Sequence, residues 1–162
     1  MPDSMHRIGL ISDTHGLLRP EVFSALDGVD LILHAGDVGD DQILTELEAI
    51  APVEAVYGNT DAPGRATLRD SIERMIGGLR IHVSHGHEVG SPNPVRLVAK
   101  YDADVIVYGH THRQLVTRLG EQLVVNPGAA GARRFDLEPS VAVLTIDRGV
   151  ADAVLIPLRA SR

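Results

Sequence analysis

Five short segments of this chain concentrate side chains that bind cations or move protons: Asp13 and His15; Asp37; Asn59 and Asp61; His85 and His87; His110 and His112. Carboxylate, amide oxygen and imidazole without thiolate make a donor set that suits manganese, iron or zinc better than calcium or magnesium, which prefer oxygen alone. Two ions need more ligands than one, and a carboxylate shared between them holds both. Asp37, alone on its segment, is the natural bridge. Metal ions about 3.5 to 4 Å apart clamp the attacking and leaving oxygens of a phosphoryl displacement. Two H-x-H units also resist a bland reading, because clustered imidazoles repel when protonated and are stabilised by a cation.

These segments need elements that bring them together. The apolar run from Arg7 to Ile11 reads as a buried strand, Ser12 to Arg19 as a loop, and Pro20 to Leu26 as a short helix with proline in its first turn. Val29 to Ala35 and Val53 to Tyr57 read as further strands. Between them lies a helix capped by Asp40 or Asp41, with Ile43, Leu44, Leu47 and Ile50 at helical spacing and Pro52 as its stop. Ser71 to Ile76 and Leu79 to Ser84 flank Gly77-Gly78 as a hairpin, and Pro94 to Tyr101 is a helix expected to use Val95, Leu97 and Val98 for apolar contact. Asp104 to Tyr108 is another buried strand. From Gln114 to about Leu158, turns at Gly120-Glu121 and Arg148-Gly149 separate antiparallel strands, with a loop of open course from Asn126 to Pro139. Each candidate segment therefore stands at a strand end. In open α/β sheets the carboxyl ends of parallel strands share one edge, where ligands bind.

Composition narrows the class. The 162 residues match one domain, 1–162, and can bury a substantial core without staples. With 44% apolar, 23% charged and 3% aromatic residues, the interior falls to Val, Ile, Leu and Ala. A net charge of −7 argues against broad nucleic-acid binding. Absence of cysteine excludes disulfides, thiolate metal sites and cysteine nucleophiles. The N-terminal MPDSMHR lacks an apolar signal core and no segment reaches membrane-span length, so a cytoplasmic protein without membrane attachment is expected. Homo-oligomerisation stays open.

In order along the chain, D-x-H, G-D, G-N-x-D, H-G-H and G-H-T-H resemble the calcineurin-like metallophosphoesterase superfamily, over about Ile8 to Pro127. The short chain is similar to the compact bacterial and archaeal phosphodiesterase branch, to which the retromer subunit fold is related. The resemblance implies two facing mixed β-sheets flanked by helices, a four-layer αββα sandwich. It implies one metal held by Asp13, His15, Asp37 and His112, and a second held by Asp37, Asn59, His85 and His110. The ions are expected to be divalent, manganese first, with iron, zinc or nickel as alternatives. The implied activity is hydrolysis of a small phosphoester, a phosphodiester before a monoester, by in-line attack of a metal-bridging hydroxide. Asp37, Asn59, His85 and His87 are the expected catalytic residues. A protein-binding scaffold without turnover, or another binuclear metallohydrolase, remains the alternative.

One position departs from the wider superfamily, in which many members carry histidine after the G-N pair as proton donor to the leaving oxygen. Here it is Thr60, and a hydroxyl cannot replace an imidazole as general acid near neutrality. The remaining polar candidates have plainer readings. Asp61 orients its loop or a ligand rather than binding metal, His34 is a hydrogen-bonded residue that is structural or supports a ligand, His82 is structural or exposed, and His6 is a solvated terminal residue. Arg133 and Arg134 are solvated rather than phosphate-binding, and Asn126-Pro127-Gly128 is a turn.

Overall fold

The computed structural model describes residues 5–62, 64–133 and 136–159. Two five-stranded mixed sheets face each other, with few and short helices outside them. The first sheet contains β1 (His6–Ile11), β2 (Leu31–His34), β3 (Val53–Ala55), β9 (Ser140–Asp147) and β10 (Val150–Pro157), in the order β10-β9-β1-β2-β3. The second contains β4 (Ile72–Ile76), β5 (Leu79–Val83), β6 (Val105–Val107), β7 (Leu115–Leu119) and β8 (Gln122–Asn126), in the order β4-β5-β6-β8-β7.

The continuous apolar runs exist because the inner strands are covered on both faces. Ile8, Leu10, Leu31 and Leu33 meet Ile81, Val83, Val105 and Val107 between the sheets. Ile11, Ile32, Val141 and Val143 point the other way, toward Val22 of α1 (Glu21–Ala25) and Ile43, Leu44 and Leu47 of α2 (Asp41–Leu47). On the far side, Ile106 and Val124 pack on Leu97 of α3 (Pro94–Lys100). The expected αββα layering is the observed one. Asp40 caps α2 by accepting from the Gln42 N–H at 3.0 Å. No helix among the described residues is long and apolar enough to cross a membrane.

Parallel pairing puts the candidate loops on one edge. β1, β2 and β3 run parallel, as do β5, β6 and β8, so six strand carboxyl ends converge. The β8 pairing revises the expectation that everything after Gln114 is antiparallel: β7–β8 and β9–β10 are, but β8 also joins β6 in parallel. Strands β2, β3 and β6 are shorter than their apolar runs. Beyond their ends the backbone turns away to carry the site; past β3, the Val56 N–H still donates to His34 O (3.1 Å) and Val56 bridges Arg69 on its other side before the chain turns at Asn59-Thr60. Val95 is 68% exposed, leaving Leu97 as the buried anchor of α3. His6 is not a loose terminal residue but the half-buried first residue of β1, opposite Ile146.

Candidate metal centre

The loops after β1 and β2 prolong the sheet ladder. The Asp13 N–H donates to Gly36 O (3.0 Å), that of His15 to Asp37 O (2.9 Å), and that of Gly16 to Val38 O (2.8 Å). From the second sheet, the His110 N–H donates to Asp13 Oδ2 at 3.2 Å, and the Asn59 Oδ1 stands 3.0 Å from His85 Nε2 and 3.1 Å from His110 Nδ1. All seven expected ligands therefore meet in one cluster. Asp37 Oδ2 lies 3.6 Å from His15 Nε2 and 3.3 Å from His85 Nε2, between the two histidine groups. Asp13 is central as well, with its Oδ1 3.3 Å from His112 Nε2 and 3.8 Å from both His15 and His85. Asp13 with His15 and His112, and Asp13 with Asp37 and His85, form two groups whose ligand atoms lie within 4.8 Å of one another.

Two features fit these residues to cations. Asp13 is fully buried, and while Oδ2 accepts from Ser12 Oγ at 2.8 Å, Oδ1 has no hydrogen-bond partner. A buried orphan carboxylate oxygen is costly unless a cation or donor meets it, and imidazole nitrogens already converge on it. The second feature is strain. Asp13, His15, Asp37, His110 and His112 have φ between 47° and 70°, and the only other non-glycine residue with positive φ among those described is Arg148, in a hairpin turn. Such conformations cost of order 1 kcal/mol or more each and persist where the surroundings impose them, typically at functional sites.

Close packing leaves no room for error. A Cβ on Gly58 would lie 2.0 Å from Asp37 Oδ1, and one on Gly109 would lie 2.0 Å from Ser12 Oγ and 2.7 Å from Asp13 Oδ2. Burial works to raise the Asp37 carboxyl, but His85 and the Thr60 N–H, which donates to Oδ1 at 2.9 Å, outweigh it and hold it well below the usual carboxylate range. Burial likewise works to lower His85, yet Asp37 and Asp13 raise it. Those carboxylates attract a proton or a metal to the same nitrogen. Its other nitrogen, Nδ1, pairs with Ala35 O at 2.8 Å, leaving Nε2 free to coordinate. His110 is lowered by burial and by the charge of His85.

The supporting residues were partly legible. Asp61 accepts from the Val38 N–H (3.1 Å), the Gly39 N–H (3.0 Å) and the Gly58 N–H (2.9 Å), tying the Asp37 loop to the Asn59 loop. His34, pushed down to about 4 by burial, accepts from the Gly36 N–H and pairs with Thr14 Oγ1. Asn126 does more than turn the chain: its Nδ2 donates to Gly109 O (3.2 Å) and Thr111 Oγ1 (3.0 Å), steadying the loop that bears His110 and His112. Glu88 was missed. Its carboxylate accepts from the Gly86 N–H (2.9 Å) and from Tyr101 Oη (2.8 Å), bracing the His85–His87 loop. The only sequence signal for it was a carboxylate next to that loop.

His82, stacked on Tyr101, pairs with Glu73 and with Ser84 Oγ at 3.0 Å. That is the form of a serine nucleophile's relay, but Ser84 is 2% exposed and out of substrate reach, so the triad is a tether. His87 is exposed, its ring 5.4 Å from that of His85 and 6.3 Å from that of His110. Arg133 is exposed, and Arg134 lies outside the described residues.

Residues 6–149 match the sequence profile of the calcineurin-like phosphoesterase superfamily domain. A probable metallophosphoesterase of Methanothermobacter thermautotrophicus is 42% identical over 158 residues, covering 92% of this chain and 91% of its own. A phosphodiesterase of Methanocaldococcus jannaschii is 30% identical over 141 residues, 75% of this chain and 82% of its own. In fold, the chain is similar to vacuolar protein sorting 29 of Cryptosporidium parvum, with a TM-score of 0.80 at 22% identity, over 95% of this chain and 98% of that one.

Proposed function

Because the chain belongs to the calcineurin-like phosphoesterase superfamily, we propose that it is a binuclear metal-dependent phosphodiesterase. Asp13, His15, Asp37 and His112 hold one divalent cation, and Asp37, Asn59, His85 and His110 the other. The observation that carries this reading is the buried, unpartnered Asp13 Oδ1 with three imidazole nitrogens within 3.8 Å. Bound there, two cations supply an acidified water and neutralise charge on the phosphoryl oxygens. Manganese, with iron, zinc and nickel behind it, suits the mixed donor set.

The protein's own groups do the positioning. Asp37 sits between the two histidine groups, and Ala35 O fixes His85 so that its Nε2 faces Asp37 and Asn59. His87, exposed at the edge of the cluster and outside both ligand sets, contacts the substrate. Thr60, standing where many members of the superfamily carry a proton-donating histidine, has no group that protonates a leaving oxygen near neutrality. Poor leaving groups should therefore react slowly beside aryl esters, and Thr60→His should narrow that gap by about tenfold or more, since a positioned general acid contributes roughly 10² to 10⁴. A series of diesters with leaving groups of graded pKa checks this; unchanged sensitivity to the leaving group in Thr60→His would count against it.

Phosphodiesters, phosphomonoesters, cyclic nucleotides and amides assayed side by side with added manganese test the assignment. Turnover of the diesters first is expected. Thr60 is also the observation that favours the second reading, a binding scaffold of the same fold, which predicts a silent panel. Turnover of amides instead would indicate another metallohydrolase.

A further inference from the structure

A cavity of about 700 Å³ opens beside the cluster. Asn59 and His87 of the cluster are among its lining residues, with Tyr57, Leu68, Arg69 and Asp70. That volume falls within the range of roughly 300 to 1,000 Å³ typical of small-molecule sites. A single phosphoryl group at the cluster would leave most of it unfilled, so the space suits an organic group esterified to the phosphate.

The lining says what that group carries. Among the described residues the Arg69 guanidinium has a single carboxylate within reach, Glu54 Oε1 at 3.8 Å, and Glu54 is already paired through Oε2 with Arg74. Arg65, by contrast, is committed to Asp41, Asp61 and Gly39 O. Arg69 is also firmly based: its N–H donates to Ala55 O at 3.0 Å, and its carbonyl accepts from the Tyr57 N–H at 2.8 Å. A backbone-anchored guanidinium that is 67% exposed and meets its one carboxylate only at 3.8 Å has donors left for an anion, and its planar fork matches phosphate. Neighbouring Asp70 offers an acceptor for hydroxyls, while Tyr57 and Leu68 give an apolar wall.

Resting on the phosphodiesterase reading above, we infer that the cavity binds an ester group bearing a second phosphate, as in a nucleotide phosphorylated at both its 3′ and 5′ positions. Arg69 holds the phosphate that is not cleaved and so sets specificity. The manganese-loaded protein is assayed with thymidine 5′-(p-nitrophenyl phosphate) and with the same ester phosphorylated at the 3′ oxygen. The 3′-phosphorylated ester should be preferred about tenfold or more in kcat/KM, mainly through KM, as a charge-assisted hydrogen bond allows. Arg69→Gln should bring the ratio near one, and Arg69→Glu below it. Thymidine 3′,5′-bisphosphate, titrated calorimetrically, should bind about tenfold more weakly to Arg69→Gln. A ratio near one in the unaltered protein, or a preference that survives Arg69→Gln, overturns the inference while leaving the hydrolase standing. Release of nitrophenolate from neither ester overturns the hydrolase and this inference with it.

Discussion

Asp37→Ala is expected to lower diester turnover by about 10³-fold or more and to strip most of the metal, because one small side chain serves both halves of the centre. Asp37 Oδ2 lies within 3.6 Å of one histidine from each proposed ligand set, and Oδ1 accepts from the Thr60 N–H. Without it the two sets share no ligand through this residue, and Thr60 loses the acceptor that orders its loop. Charge stabilisation by a metal amounts to several kcal/mol of the barrier, and each 1.36 kcal/mol is tenfold in rate. Paired steady-state kinetics and elemental analysis read both effects. A variant that turns over at the full rate after its metal content has been verified would sink the proposed mechanism.

The second large effect is on stability. Asp61→Ala removes a carboxylate that collects three backbone N–H donors, two of them, from Val38 and Gly58, on buried residues. Leaving such donors unpaired costs on the order of 1 to 3 kcal/mol each, so a loss of about 3 kcal/mol is expected. For a domain of this size, that lowers Tm by about 6 to 12 °C. Turnover should fall too, because the Asp37 and Asn59 loops lose their common tie. Asp61→Asn, which keeps an acceptor oxygen of the same reach, should recover part of the Tm. A thermal melt of Asp61→Ala within 2 °C of the unaltered protein, or no recovery in Asp61→Asn, would contradict this role.

The layers and the clustering of the site were readable because both depend on simple patterns. Apolar runs such as LILHA announce strands covered on both faces, and a strand's carboxyl end is where its next polar residues must fall. Asp13, Asp37, Asn59, His85 and His110 could thus be placed at one edge from order alone. What escaped was contact between residues distant in sequence. Nothing near Glu88 says that its carboxylate reaches Tyr101, and nothing near Asn126 says that its amide holds Gly109 and Thr111. The parallel pairing of β6 and β8 was equally hidden, since hairpin turns report only the neighbour that follows in sequence. Val95 was misread for a related reason: on a helix of seven residues, Leu97 and the half-buried Val98 supply the apolar contact, and Val95 faces solvent.

The centre itself is tested most directly by anomalous diffraction at the manganese absorption edge from crystals grown with manganese. Two peaks about 3.5 to 4 Å apart are predicted, with Asp37 reaching both, His15 and His112 on one, and Asn59, His85 and His110 on the other. No peak at the Asp13–Asp37 cluster, or a single peak there at full manganese loading, would contradict the binuclear assignment.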